Sequence, residues 1–164
     1  MELREFKDVF DLLYRPIKNF LYYKLGDIAL AEDLVQEVFL KAWEKRDSIR
    51  TDTVKSLLYT IAANLANNHY NSARARFEFE LKENLDHSTN ENPQYVLETN
   101  EFKIQLEKAV ADLPEKQRTV FLMSRMDDLT YTEIAERLEI SVKAVEKRMH
   151  EALTFLRNVL DQKL

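Results

Sequence analysis

Cysteine is absent from the 164 residues, and the chain has only one glycine and three prolines. Without thiols there is no disulfide framework and no thiolate metal site. So few turn-forming residues argue against a β-sandwich or barrel, whereas abundant Leu, Glu, Lys and Ala favour helices. No apolar run resembles a signal peptide or a membrane span, which predicts a cytoplasmic location. The expected fold class is therefore all-α.

The negative charge is concentrated in the middle of the chain. Residues 77–101 hold seven acidic side chains and one lysine, while the flanking segments are close to neutral. This stretch contains "DHSTNENP", a polar cluster without helical periodicity, which is typical of a connection between folded units. We therefore predict two small helical domains, 1–76 and 102–164, joined by an acidic flexible linker, 77–101. A solvated loop inside a single domain is the alternative.

Helix signals are clear on both sides of that segment. The first half predicts an amphipathic helix that Pro16 interrupts or kinks and that stops at Gly26. Further helices are expected over about 29–44 and 53–71. In the second half, "ETNEFKIQLEKAVADL" and "PEKQRTVFLMSRM" predict two helices ahead of a helical pair.

The segment from Tyr131 to Leu153 predicts a helix-turn-helix. Thr130 or Thr132 can cap its first helix, and Ser141 can cap the second, because a hydroxyl oxygen accepts a free backbone N–H of the first turn. The joint falls at Glu139, where such turns often need a left-handed residue that glycine would provide without steric cost. We expect a strain of about 1 kcal/mol there and no loss of fold.

The second helix of this pair has an apolar and a polar face. The apolar face is predicted to consist of Val142, Val145, Met149, Ala152, Leu153 and Leu156. A small residue among cations near a helix N-terminus suits a DNA major groove, where lysine reaches phosphate or guanine. The candidate DNA-reading residues are Ser141, Lys143, Ala144, Glu146, Lys147, Arg148, His150 and Glu151. A surface helix hairpin with a solvated charged face is the alternative.

The helix "AEDLVQEVFLKAWEK" has a leucine on its polar face. Its core face is predicted to hold Ala31, Leu34, Val35, Val38 and Ala42. Leu40 lies opposite, among carboxylates and an amide, with Trp43 at the edge. An isolated exposed leucine usually has no role, but a leucine and a tryptophan ringed by acids would also form a protein-docking patch.

Three segments resemble a known family. "AEDLVQEVFLKAWE", "LLYTIAANLANNH" and "LPEKQRTVFLMSRMDDLTYTEIAERLEISVKAVEKRMHEALTFLR" are similar, in this order and spacing, to bacterial sigma factors of the extracytoplasmic-function group. The resemblance implies a region 2, a linker and a region 4. It also implies a non-enzymatic protein that binds core RNA polymerase and directs promoter-specific initiation through the −10 and −35 elements.

Site residues and partners follow from the same resemblance. It implies that the helix "AEDLVQEVFLKAWEK" docks on the β′ clamp helices of the polymerase. It also implies that the β flap is a further contact and that an anti-sigma factor at the inner membrane is a partner. The docking residues are then Asp33, Gln36, Glu37, Leu40 and Trp43. The residues that recognise and open the −10 element are then Asn64, Ala66, Asn67, Asn68, Tyr70, Asn71, Arg74 and Arg76.

The composition of the third helix agrees with a role on single-stranded DNA. From Leu57 to Phe77 there is no acidic residue. The segment instead supplies amides, aromatic rings and cations, the mixture that grips single strands by stacking, base-edge hydrogen bonds and phosphate contacts.

Two other classes of protein remain as alternatives. A conventional regulator would use the helix-turn-helix with an N-terminal sensor or dimerisation bundle, and would bind duplex DNA without polymerase. A helical-bundle enzyme or metal carrier has little support, because His69, His87 and His150 are far apart and no Glu-x-x-His pair or phosphate loop occurs. We therefore expect no metal, no cofactor and no small-molecule substrate.

Overall fold

The computed structural model describes residues 1–73 and 93–161. In these two ranges the regular structure is helical, with no strand, which confirms the all-α expectation. The α-helices are α1 Leu3–Leu25, α2 Ile28–Glu44, α3 Val54–Ala73, α4 Pro93–Asp112, α5 Glu115–Met126, α6 Tyr131–Leu138 and α7 Val142–Asp161, with a short 3-10 helix at Arg46–Ser48.

The first helical unit is α1, α2 and α3, which pack against one another. Gly26 ends α1 in the left-handed region (φ 72°), and its N–H donates to the Tyr22 carbonyl at 2.7 Å. Glycine carries this conformation without a Cβ clash, so the chain reverses within two residues. The Asp27 carboxylate then caps α2 by accepting from the Leu30 N–H.

Pro16 does not interrupt α1. Of the break or kink that the sequence predicted, the break is wrong, because one helix runs from Leu3 to Leu25. Proline removes one backbone hydrogen bond, a cost of about 3 kcal/mol in a helix interior. Burial of Leu13, Ile17 and Phe20 on either side of Pro16 offsets that cost, since each large apolar side chain stabilises by about 1.5–3 kcal/mol.

The second helical unit is α4 to α7 and contains the predicted helix-turn-helix. Thr130, rather than Thr132, caps α6 in a reciprocal capping box with Glu133. These hydrogen bonds from Thr130 stabilise the Glu133 carboxylate and lower its pKa. Ser141 Oγ accepts the Ala144 N–H at 3.0 Å and caps α7. Glu139 lies between the two helices at φ 56°, the left-handed conformation that was expected.

The helix α4 begins earlier than the sequence suggested. It starts at Pro93, so residues 93–101 of the expected linker are helical. Proline is favoured in the first turn because the N–H it lacks would have no partner there. The boundaries 1–76, 77–101 and 102–164 stay a prediction, and residues 74–92 lie outside the described ranges.

The two helical units pack directly on each other. The contacts are between α1 and α5 and between α3 and α6, and the buried side chains of both units form one continuous cluster. The sequence predicted two helical domains joined by a linker and left a single domain as the alternative. Residues that join the units, such as Tyr23 and Asp127, lie 104 residues apart, so no local pattern could reveal this packing.

The strain at Glu139 generates a prediction. Glu139→Gly should raise the free energy of unfolding by up to about 1 kcal/mol, because glycine removes the left-handed penalty. Glu136→Gly is the matched control: Glu136 is exposed within α6, and glycine there should destabilise by about 1 kcal/mol. Urea unfolding of the three proteins measures both effects. Equal destabilisation by the two glycines would show that Glu139 is unstrained.

Candidate nucleic-acid and protein interfaces

The outward face of α2 is polar around an exposed leucine. Leu40 is 63% exposed, which confirms the prediction from the helix periodicity. Asp33, Gln36 and Glu37 are also exposed, while Leu34, Val35, Val38 and Phe39 are buried on the opposite side. Leu40 therefore contributes little to the core, and its isobutyl group is free to contact another protein.

Trp43 is half-buried, unlike Leu40. Its ring lies 4.9 Å from that of Phe6, and the Arg46 guanidinium lies 4.1 Å over it. Phe6 also meets Phe39 edge-to-face, so α1 fixes this end of α2. Trp43 thus presents one edge at a fixed position beside the exposed α2 face, and its main contacts are within the chain.

The candidate −10 residues of α3 separate into two groups. Asn64, Asn67 and Asn68 are exposed and share one stretch of the helix surface. Ala66 is 1% exposed, because it falls on the same apolar face as Ala62 and packs in the core. The Ala66 side chain is therefore buried rather than presented to a DNA base, and the −10 site as a whole stays a prediction.

The remaining −10 candidates lie at the end of the first described range, 1–73, or outside it. Tyr70 and Asn71 are within α3, but their side chains are outside the described part of the structure. Arg74 and Arg76 lie outside the described residues altogether.

The polar face of α7 is largely solvent-exposed. Ser141, Lys143, Glu146, Lys147 and His150 are exposed, while Ala144 and Arg148 are half-buried. Val145, Met149, Ala152 and Leu156 are buried as predicted, but Val142, expected among them, is 39% exposed. Val142 is the first residue of α7, where few neighbours cover it.

Glu151 points towards α5. Its Oε2 accepts a 2.6 Å hydrogen bond from Gln117 Nε2. This contact holds α7 against α5 and occupies one oxygen of the Glu151 carboxylate. Glu151 therefore has a structural role that the sequence pattern did not indicate, because Gln117 lies 34 residues away.

A cavity of about 280 Å³ lies between α3 and the second helical unit. Asn64 and Asn67 line it from α3, and Lys116, Arg137 and Arg148 line it from the other side. The Arg137 guanidinium lies 5.6 Å over the ring of buried Tyr59. Burial raises the pKa of Tyr59 to about 12. Candidate residues for the two DNA elements thus share one cavity in this arrangement.

An apolar groove between α4, α5 and α7 was missed by the sequence reasoning. It encloses about 500 Å³ and is lined by Phe102, Leu106, Met126 and Leu160, among others. Phe102 and Met126 are 53% and 39% exposed. Their exposure depends on how three helices meet, which the sequence does not show. The sequence signal for this groove was the presence of large apolar residues beside Arg125 and Arg157.

Two features are absent from the described ranges, 1–73 and 93–161. No three His, Asp or Glu side chains there are grouped to hold a metal ion. Within the same ranges, none of the helices combines the length and apolar character needed to cross a bilayer.

Comparison with known proteins identifies the chain. The Sigma-70 region 2 family model matches residues 9–76, and the Sigma-70 region 4 model matches residues 103–156. Together they cover most of the chain and both helical units. The chain belongs to the extracytoplasmic-function (ECF) sigma factors. It therefore directs promoter-specific transcription by RNA polymerase.

Curated relatives span nearly the whole chain. It is 28% identical to the RNA polymerase sigma factor YlaC of Bacillus subtilis strain 168, covering 89% of this chain and 86% of that protein. It is also 28% identical to the ECF RNA polymerase sigma factor SigW of the same strain, covering 94% and 88%. The ECF RNA polymerase sigma-E factor of Escherichia coli K12 is 28% identical, covering 87% and 76%.

Solved structures share the fold. The Bartonella quintana sigma factor RpoE, solved with the anti-sigma factor NepR, has a TM-score of 0.66 at 20% identity, covering 97% of this chain and 98% of that one. CnrH, solved with the cytosolic domain of CnrY, has a TM-score of 0.66 at 20% identity, covering 99% and 92%.

Proposed function

We propose that this sigma factor uses three surfaces, one for polymerase and two for promoter DNA. The exposed face of α2 docks on the β′ clamp helices of core RNA polymerase, α3 reads and opens the −10 element, and α7 reads the −35 element. In this assignment residues 1–76 form region 2 and residues 102–164 form region 4, joined by the acidic linker 77–101. The sigma factor itself performs no catalysis, and its site of action is the cytoplasm.

The observation that carries the docking assignment is Leu40. It is 63% exposed in the middle of a polar face, while Val38 and Phe39 beside it are buried and Trp43 is half-buried. An aliphatic side chain surrounded by carboxylates supplies both parts of a protein interface. The apolar centre gives binding energy once it is desolvated, and the acidic rim steers the approach to a basic partner surface.

The DNA assignment is supported by α7. Lys143 and Lys147 are exposed, one turn apart, near the N-terminal half of a helix that Ser141 caps. Each lysine that neutralises a phosphate releases a counterion, which gives weak and salt-sensitive binding. With a net charge of −5, the chain alone is repelled by DNA, so stable promoter binding depends on the polymerase.

The apolar groove between α4, α5 and α7 is a second polymerase contact. We assign it to the β flap, because Phe102 and Met126 would be covered by an apolar helix laid between these helices. The amphipathic helix-in-groove mode uses such a surface. Arg125 and Arg157 also line the groove and would contact carboxylates beside that apolar helix.

An anti-sigma factor at the inner membrane is the expected negative regulator. RpoE of Bartonella quintana and CnrH were each solved with a partner, the anti-sigma factor NepR and the cytosolic domain of CnrY respectively. The similar fold supports a protein partner of this kind for the present chain.

Leu40→Asp tests the docking assignment. Because Leu40 is exposed, the variant should unfold within about 0.5 kcal/mol of the wild type. Its affinity for core polymerase should fall at least about 30-fold, since loss of a buried hot spot costs about 2 kcal/mol or more and an unpaired carboxylate would be buried among acids. Competition binding against a labelled wild-type sigma factor measures the affinity.

Leu12→Asp is the matched control for this test. Leu12 is 73% exposed on α1, a different helix from the proposed docking face, and the same substitution there should leave polymerase binding unchanged. If Leu40→Asp folds and competes as well as Leu12→Asp, the docking surface lies elsewhere.

Lys147→Ala tests the −35 assignment. Transcription from −35-dependent promoters should fall, and the slope of log affinity against log salt should become shallower by about 1, because one phosphate contact is lost. Lys108→Ala removes the same charge from an exposed position on α4 and should leave both quantities unchanged. Run-off transcription and salt-dependent promoter binding of the reconstituted holoenzyme measure the effects. An unchanged slope would remove Lys147 from the DNA face.

A further inference from the structure

The exposed surface near the start of α7 divides into two strips with four-residue spacing. Lys143 and Lys147 form a cationic strip, and Val142, Glu146 and His150 form the strip beside it; all five residues are exposed. Residues four apart in a helix lie one above the other on the same face. Phosphate contacts account for the lysines but not for an isopropyl group or a carboxylate. The second strip therefore has a chemistry suited to base edges rather than to the DNA backbone.

Glu146 has no structural partner that would account for its place on this face. Among the residues that the structure describes, none forms a hydrogen bond or an ion pair with its carboxylate. Two other glutamates of the helix-turn-helix differ, since Glu133 caps α6 and Glu151 accepts from Gln117. Glu146 is also the fifth residue of α7, beyond the first turn in which the helix dipole favours an acid. Its carboxylate therefore has no role in the fold.

A carboxylate on a DNA-facing helix finds few favourable partners in the major groove. Phosphates repel it, as do the N7 and O6 acceptors of guanine and the O4 acceptor of thymine. Adenine presents an N6 donor beside an acceptor, whereas cytosine presents only its N4 amino group. Glu146 lies in the N-terminal half of α7, and the N-terminal part of a recognition helix contacts base edges. Its charge therefore opposes binding at other bases and forms a charge-assisted hydrogen bond at cytosine.

We propose that Glu146 is a specificity-determining residue whose carboxylate accepts a hydrogen bond from N4 of a cytosine in the −35 element. Lys143 and Lys147 contact the phosphates at the edge of the groove, which turns the strip of Val142, Glu146 and His150 towards the bases. This contact rests on the proposed use of α7 at the −35 element. It identifies one base that the promoter must contain there.

Glu146→Gln tests the contact as a change of base preference. Glutamine pairs bidentately with N6 and N7 of adenine, so the variant should replace cytosine by adenine at one −35 position and leave the others unchanged. Glu146→Ala should lose the preference at that position without gaining another. Glu101→Gln makes the same charge change at an exposed position on α4 and should keep cytosine. Transcript sequencing from a promoter library with a randomised −35 region, using the reconstituted holoenzyme, measures these preferences.

N4-methylcytosine at the preferred position tests the same contact at one atom. The methyl group replaces the N4 hydrogen that points into the major groove, while the other N4 hydrogen still pairs with guanine. Promoter affinity of the wild-type holoenzyme should fall about ten-fold, the discrimination expected of one good base contact. Glu146→Ala should bind the methylated and unmethylated promoters equally. Circular dichroism and competition for core polymerase should match the wild type, because Glu146 is exposed.

The outcomes separate the cytosine contact from the proposed function. If the wild type and Glu146→Gln select the same base at every −35 position, the contact is overturned while the −35 assignment stands. Equal affinity of the wild type for the methylated and unmethylated promoters would also overturn it. A wild type without any −35 preference, together with an unchanged salt slope for Lys147→Ala, would contradict the use of α7 itself and the cytosine contact with it.

Discussion

The arrangement of the two helical units depends on one buried guanidinium. Arg118 lies on α5, yet two of its acceptors are the final carbonyls of α1. A buried arginine cannot lose its charge, so its N–H groups must all find acceptors or the interface loses several kcal/mol. Three of these acceptors are helix-end carbonyls, those of Tyr23, Lys24 and, within the second unit, Leu113. The C-terminal end of α1 is therefore part of the site that binds the Arg118 guanidinium of α5.

Asp127 adds a second, half-buried ionisable group at the same interface. Desolvation raises the pKa of its carboxyl, although Tyr23 and Asn19 donate hydrogen bonds that oppose the rise. Because its pKa is raised in the folded protein, Asp127 contributes most to the stability of the fold in acid, and this contribution weakens as the pH rises. The interface is thus less stable near neutrality than its number of hydrogen bonds suggests.

Features with a local cause could be predicted from the sequence, and those that join distant segments could not. The face of α2 with Leu40 exposed, the caps at Thr130 and Ser141, and the left-handed Glu139 each depend on residues within one or two turns of helix. The burial of Ala66 was missed because asparagines surround it and the apolar face of α3 is narrow. Other features depend on tertiary neighbours, which helix periodicity does not reveal. These are the contact of Glu151 with Gln117, the groove at Phe102 and the packing of the two units.

The exposure of Leu40 has a consequence for the encounter with polymerase. The contacts from α1 to α5 and from α3 to α6 leave Asp33, Gln36, Glu37 and Leu40 exposed on the outward face of α2. In the proposed docking, the polymerase meets this face already in its exposed conformation, so the association of this surface is a rigid-body encounter.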